Sequence, residues 1–417
     1  MKKQVSCADE FDPNSLRMEQ AVQRIHDTIT TVNGSERIFI RNALGRILDK
    51  DVLSPINVPA YRNSAMDGYA INSKDLPSSG HTSLKIVARI FAGHPFEGAI
   101  RQGECARIMT GAPMPEGTDT VIMQEHVETD GENIRIDDIH SAGQNVRQAG
   151  EDLAKNGIAL AKGTQIKPAD MGLIASLGIA EVSVKRRIKV AFFSTGDELC
   201  SIGDQLQEGQ IFDSNRYTLY GMLQNLGVEV IDMGIIADNK DLIRQAYSDA
   251  SNCADVVITS GGVSVGEADF VKSLLEELGQ VDFWKIAMKP GKPLTFGRLN
   301  KSYFFGLPGN PVSAMVTFYQ FVKPGLLKLS GRTDYQPTTI RLKCADKLKK
   351  APGRIDFQRG IMFQNENGDW MVRSTGPQGS HILNSMSLAN CFIVLPLESN
   401  GIAAGEEVDV QVFEGIV

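Results

Sequence analysis

The chain has 417 residues, 42% of them hydrophobic and 22% charged, an ordinary folded composition too long for one simple core, so about two to four domains are expected. A net charge of −7 excludes an overall basic field that would gather nucleic acid or an anionic membrane, and any anionic ligand must be met by a local cluster of Lys, Arg and backbone N–H groups. No apolar run approaches the roughly 20 residues of a membrane-spanning helix and the opening MKKQVSCADEFDPNS lacks an apolar signal core, so a soluble cytoplasmic protein is expected.

In chain order, Ser15 is positioned to cap a helix whose apolar residues Met18, Val22, Ile25 and Ile29 recur at helical spacing, ending near Asn33-Gly34. From Asp51 to about Val146 the pattern becomes short β-rich runs broken by turns, as in LSPINVPAYRNS and MTGAPMPEGTD, which predicts a small β domain. Between Gly150 and Val184 a strand, a helix opening at Pro168 and the strand IAEVSV are expected to pack back on the N-terminal helix, making the β domain an insertion.

From Arg187 to about Gly331 apolar strands alternate with amphipathic helices, the pattern of a parallel sheet covered on both faces. RIKVAFFS, VEVIDMGII, DVVITS, QVDFWKI and YFFGL read as its strands; one helix carries the stripe Leu219, Met222, Leu223 and Leu226 before Gly227, and DFVKSLLEELG is expected to be closed by Gly279. Beyond Gly331, TTIRLKCADKL, WMVRST, CFIVLP and EVDVQVF read as strands of a last β domain. The expected division is 15–53 with 148–186, then 54–147 inserted, then 187–332 and 333–417.

Six cysteines (Cys7, Cys105, Cys200, Cys253, Cys344, Cys391) never form a C-x-x-C pair, and the six histidines are dispersed. Neither a disulfide framework nor a zinc site follows. In an open α/β sheet, ligands bind beyond the carboxyl ends of the strands, where helix N-termini present free N–H groups. Ser194-Thr195-Gly196-Asp197-Glu198, Asp238 and the loop SGGVSVGEAD (Ser260 to Asp269, with Gly261, Gly262 and Ser264) all fall at such ends. The glycine loop suits a phosphate, though taken alone it reads first as a tight turn ending in a helix cap.

Lys285, Lys289-Pro290-Gly291-Lys292-Pro293 and Gly306-Leu307-Pro308-Gly309-Asn310-Pro311 follow. A lysine about 4 Å from an anion supplies roughly 4 kcal/mol of gross attraction at an effective dielectric of about 20, before desolvation. Their bland readings are a solvated surface turn and a helix start with proline in its first turn. Earlier, the Asp67-Gly68 turn, Thr110 of MTGAP, and Arg147 and Asp152 of NVRQAGED are, singly, loop and cap residues.

In this order NSAMDGYA, MTGAPMPEG, GED, STGDEL, SGGVSVGEAD, KPGKP, GLPGNP and DFQRG make a combination far more specific than any one motif, and the chain from about Ser15 onward resembles the MoeA family of molybdenum insertases, which includes the catalytic domain of gephyrin. The resemblance implies an elongated homodimer with a discontinuous first domain, an inserted β domain, a molybdopterin-binding α/β domain and a C-terminal β-barrel. It implies that adenylylated molybdopterin and molybdate yield molybdenum cofactor and AMP, assisted by a divalent cation, usually Mg2+.

Carried over by motif, Asp67, Glu198, Asp269, Lys285 and Lys289 are the expected catalytic residues, with Asp67 reaching the site from the partner subunit. Thr110, Arg147, Asp152, Asp238, Gly261, Gly262, Ser264, Pro308 and Asn310 are expected to bind substrate; Lys289, Lys292, Arg359, Ser380 and Ser385 molybdate; Glu198 and Asp269 the cation. Some relatives carry further arginines before GED, where this chain has only Arg147. The dithiolene sulfur belongs to the substrate, so the cysteines need not take part.

A molybdopterin adenylyltransferase is the implied substrate donor, because no such domain is fused to this chain, and molybdoenzymes or cofactor-modifying proteins are the implied recipients. Two other readings stand open. The α/β domain's glycine loop is of the type found in molybdopterin adenylyltransferases, although KPGKP and DFQRG exceed what that reaction needs. A non-catalytic carrier or scaffold is the other, with Asp67, Glu198 and Asp269 arguing against it.

Overall fold

A computed structural model describes residues 15–261 and 268–413, without the side chains of 268–272. Helix Met18–Thr28 opens with Gln20 Oε1 accepting the Arg17 N–H at 3.3 Å, two residues beyond the expected cap at Ser15. It stops earlier than the apolar spacing predicts, because Ile29, Thr30, Thr31 and Val32 are a β-branched run with poor helix propensity. Its buried Ala21 and Ile25, continued by Ile29 and Val32, join one core with Phe305, Leu326 and Leu329 of the α/β region.

The segment expected to fold back on that helix meets the strand after it instead. Ser35–Phe39 runs antiparallel to Glu181–Lys185, and Val52–Leu53 to Ile158–Leu160, over a core of Leu48, Ile166, Ile174, Val182 and Val184. Between these pairs lies a six-stranded sheet ordered Thr120–Met123, Gly68–Ile71, Glu104–Ile108, His81–Ile90, Asn133–Asp137, Glu128–Thr129. All its pairings are antiparallel except that of His81–Ile90 with Glu104–Ile108.

The large sheet is mixed. Its order is Glu229–Ile236, Lys189–Thr195, Val256–Ser260, Ser302–Leu307, Pro293–Leu299, Gly279–Lys285. The first four strands are parallel neighbours and the last two form an antiparallel hairpin. Val256–Ser260 and Ser302–Leu307 are buried along their whole length, as strands covered on both faces must be. Pro293–Leu299 is hidden in the sequence because it opens on a proline and contains Gly297-Arg298. Gly279 does not close the preceding helix with a left-handed turn; it begins the hairpin, and a Cβ there would collide with the Arg298 carbonyl.

At the C-terminal end five strands close into a barrel: Thr339–Cys344, Ile355–Gln364, Trp370–Ser374, Cys391–Leu395 and Glu407–Val412. Closure comes from Ile355–Gln364, which pairs with both Trp370–Ser374 and Cys391–Leu395. The hairpin loop of the large sheet reaches this barrel directly, since Met288–Lys289 pairs in parallel with Ile355 and Asp356. Among the described residues no helix is long and apolar enough to cross a membrane.

Candidate functional site

Three parallel strands end together. Thr195, Ser260 and Leu307 are the last residues of neighbouring strands, and the Gly261 N–H donates to the Leu307 carbonyl at 3.2 Å. Gly261 has φ +91°, and a Cβ would stand 2.6 Å from the Thr195 carbonyl. Only glycine lets the chain turn away there without prising the strand ends apart.

Above these ends opens a cavity of about 710 Å³, lined by Thr195, Gly196, Glu198, Asp213, Asn215, Asp238, Ser260, Gly261, Pro293, Pro308, Gly309, Asn310, His381 and the apolar Leu199, Ile211 and Phe212. Helix Ser214–Asn225 points its N-terminus into the wall, capped by Asp213, which accepts the Arg216 N–H at 3.1 Å. Asn215 Nδ2 donates to the Gly309 carbonyl at 2.7 Å and to Ser260 Oγ at 2.8 Å, tying the PGNP turn to the glycine loop. The Glu198 carboxylate folds back over Gly196, and Asp197 Oδ1 accepts the Asp238 N–H at 3.1 Å.

Glu198, Asp238, Gly261, Pro308 and Asn310, each expected from the sequence, thus share one cavity. Gly262 and Ser264 lie outside the described residues, as does the side chain of Asp269, whose backbone belongs to helix Ala268–Leu278. Thr195 stood in the strand-end run without a role of its own, and Asp213, Asn215 and His381 had no role assigned from the sequence. The signal was present: Asp213 stands at a helix start at the same end of the sheet, where its cap role hid its second oxygen.

A second polar group centres on Arg359. It is 1% exposed; its Nε–H donates to Ser385 Oγ at 2.9 Å and Nη2 to the Gly379 carbonyl at 3.1 Å. No carboxylate among the described residues forms an ion pair with it, and burial pushes its pKa down to about 10. Burial also pushes the Asp356 carboxyl above its usual range, although Gln358, Lys289, Lys350 and Arg359 oppose the shift. The Ser380 carbonyl accepts the Val312 N–H at 3.2 Å, which brings this group to the start of the helix after PGNP.

Lys289 does not line the first cavity; it lines another of about 630 Å³ with Lys347, Lys349, Asp346, Asp356 and Gln358. Lys292 is half-buried and Lys285 exposed, and the Ile286 N–H bonds to the Lys292 carbonyl at 2.7 Å, closing the loop that carries all three lysines.

The third group sits in the inserted sheet. Asp67 Oδ1 accepts from the Thr110 N–H at 2.7 Å and from its Oγ1 at 2.8 Å, and these two bonds hold the carboxyl below its usual range. Arg147 lies on a short strand that pairs with Asn63 and Ser64, which precede Asp67 in the chain. Asp152 is tied elsewhere, its N–H donating to the Val58 carbonyl at 3.0 Å. Asp67, Thr110, Arg147 and Asp152 are exposed and do not line the 710 Å³ cavity.

Family models cover the chain in three blocks. Residues 16–178 match the MoeA N-terminal region (domain I and II), residues 191–328 a probable molybdopterin binding domain, and residues 341–413 the MoeA C-terminal region (domain IV). The chain belongs to the MoeA family. It is 46% identical over 404 residues to a molybdopterin molybdenumtransferase of Haemophilus influenzae, covering 96% of this chain and 100% of that one. A molybdopterin molybdenumtransferase of a Nostoc species is 34% identical over 435 residues, with 98% of each chain covered. Among solved MoeA structures, the molybdopterin biosynthesis moeA protein of Pyrococcus horikoshii aligns with a TM-score of 0.83 at 29% identity, over 96% of this chain and 100% of that one.

Proposed function

We propose that the chain is a transferase of molybdenum cofactor biosynthesis that inserts molybdenum from molybdate into adenylylated molybdopterin and releases AMP. The observation that carries this reading is the convergence of Glu198, Asp238, Gly261, Pro308 and Asn310 on one cavity at the strand ends, in a chain 46% identical to a molybdopterin molybdenumtransferase.

The cavity offers the substrate hydroxyl, amide and carboxylate groups together with an apolar wall, which suits a heterocycle joined to a phosphate. Molybdate is held by Lys289, Lys292, Arg359 and Ser380, with Ser385 orienting the Arg359 guanidinium and Lys285 nearby in sequence. Arg359 supports this most directly, because a buried guanidinium without an ion-pair partner among the described residues gains greatly from an anion. Burial pushes the Cys105 and Cys391 thiols up to about 12, so these two are not thiolates that compete for the metal, and the dithiolene comes with the substrate.

Among the described residues no set of three His, Cys, Asp or Glu is arranged for a metal ion. Two carboxylates facing one cavity, Glu198 and Asp238, are the hard oxygen donors that a partly hydrated magnesium ion accepts. Glu198, with Asp269 at the start of the helix after the glycine loop, would hold it while Asp238 faces the same cavity, and it would supply charge neutralisation of the pyrophosphate.

Asp67, Thr110 and Arg147 are exposed and lie away from the cavity of their own chain, which supports a homodimer in which a second copy offers them to the site. A molybdopterin adenylyltransferase as donor, molybdoenzymes or cofactor-modifying proteins as recipients, and a cytoplasmic location complete the proposal, with domains at 15–53 plus 148–186, 54–147, 187–332 and 333–417. The test is insertion in vitro: purified protein, adenylylated molybdopterin, molybdate and magnesium, with AMP release and reconstitution of an apo-molybdoenzyme as readouts. Both are expected, falling at least a hundredfold in Glu198→Ala. Consumption of ATP and unmodified molybdopterin instead would replace the reading with adenylyl transfer.

A further inference from the structure

The floor of the 710 Å³ cavity carries polar atoms that its role in phosphate and metal binding does not use. Asp213, Asn215 and Thr195 are 3%, 8% and 7% exposed, all three line the cavity, and Asp213 Oδ2, Asn215 Oδ1 and Thr195 Oγ1 are buried without a hydrogen-bond partner among the described residues. Buried polar atoms are nearly always satisfied, so a cluster of orphans under a cavity marks places that a ligand fills.

Their polarity is fixed by their other contacts. Asn215 Nδ2 donates to the Gly309 carbonyl, which can only accept, so the amide cannot be flipped and Oδ1 is an acceptor. Asp213 Oδ1 is committed to the Arg216 N–H as the helix cap, which leaves Oδ2 as a carboxylate acceptor. Two acceptors meet a ligand edge with adjacent donors. A 2-amino-4-oxopyrimidine ring, the edge of a pterin and also of guanine, presents a ring N–H beside an exocyclic amine. Adenine presents an amine beside a bare ring nitrogen, which an acceptor repels.

We infer that Asp213 and Asn215 select the pterin half of the substrate by its 2-amino-4-oxo edge, with the Thr195 hydroxyl free to act as donor or acceptor beside them. This rests on the molybdopterin reading of the same cavity and adds the residues that tell its two heterocycles apart. The same edge on guanine makes guanosine monophosphate a competitor, while AMP must bind without these acceptors.

Direct binding by titration calorimetry tests this with 6-carboxypterin, GMP and AMP as probes, on wild type, Asp213→Asn and Asp213→Ser. Asparagine and serine both keep the helix cap, and asparagine turns Oδ2 into a donor without changing shape. The expected result is a loss of at least tenfold in 6-carboxypterin affinity in both variants, a parallel loss for GMP, AMP affinity within twofold of wild type, and unchanged thermal midpoints. Wild type binding GMP but not 6-carboxypterin would move the edge to a nucleobase and overturn the pterin assignment. A 6-carboxypterin affinity unchanged in Asp213→Asn, or AMP lost in step with it, would overturn the selection itself. Failure of the insertion assay in wild type while these differences persist would overturn the enzymatic reading alone.

Discussion

Arg359 and Ser385, 26 residues apart in the chain, are joined by an Nε–H to Oγ bond of 2.9 Å inside the protein. The Ser385 hydroxyl donates to the Ile382 carbonyl at 2.6 Å, so its oxygen is held as an acceptor and the guanidinium is oriented without being neutralised.

A cation held this way should make stability depend on an anion. Molybdate at about one hundred times its Kd stabilises a protein by about 2.7 kcal/mol if it binds only the folded state, and thermal melts of wild type should rise accordingly. Arg359→Met should fold with a midpoint near or above wild type in buffer, because a buried charge is replaced by an apolar chain, and should show no rise with molybdate. A molybdate shift retained in Arg359→Met would make this arginine purely architectural.

Gly291 has φ +102°, and a Cβ there would lie 2.7 Å from Thr317 Oγ1. Gly291→Ala should therefore push the lysine loop off the helix it rests on, at a cost of about 1–3 kcal/mol, seen as a lower urea midpoint. Molybdate affinity should fall with it. Thr317→Ala in the Gly291→Ala background should recover only the part due to crowding, because alanine at φ +102° stays strained whatever the space, and Thr317→Ser, which keeps the crowding oxygen, should recover less.

Gly279 is constrained by a neighbour rather than by its own backbone, since a Cβ would strike the Arg298 carbonyl of the adjacent strand. Gly279→Ala should loosen the hairpin that carries the three lysines and cost about 1–3 kcal/mol. Hydrogen exchange of the Arg298 and Leu299 amides should accelerate while that of Val256–Ser260 stays slow.

Asp67 is held below the usual carboxylate range by Thr110. A depressed folded value means that the favourable bonds are intact above the ordinary range and are lost as pH falls through the lowered one. Thr110→Val removes the hydroxyl bond and keeps the N–H bond, so the Asp67 titration should move up toward its ordinary value. The acid limb of the insertion pH profile should move the same way, and NMR titration of the Asp67 carboxyl should report the shift directly. An unmoved acid limb with a moved carboxyl would remove Asp67 from the proton balance of the reaction.

Much of the α/β region was legible because its burial is periodic: Leu219 and Leu223 recur at helical spacing and are buried in the core, and Val256–Ser260 is apolar except at its end. Three things were not. Strand Ile355–Gln364 is hidden because its inner residues include Asp356, Gln358 and Arg359, all buried, and a polar run does not read as core. The strand Pro293–Leu299 is hidden behind the KPGKP turn. The helix Met18–Thr28 does announce its apolar face, but not which neighbour it meets, because that choice is made by Gly325, where a Cβ would stand 3.0 Å from Ile29.

For the site, the strand-end rule located Glu198, Asp238 and Gly261 together. It could not place Lys289 in a second cavity shared with barrel residues, three positions from a half-buried Lys292. Nor could it find Asp213, whose capping role looks complete until the second oxygen is seen to lack a partner among the described residues.

The loop between the two hairpin strands belongs to two sheets at once: Met288–Lys289 lies in register with Ile355 and Asp356 of the barrel, while Lys292 leads directly into Pro293 of the α/β sheet. The barrel and the sheet thus hold opposite ends of one short tether, and the spacing of its charges is the gauge of their separation. An anion bound by both lysines therefore couples barrel to sheet, and any contact that shifts one against the other changes its affinity by the same free energy.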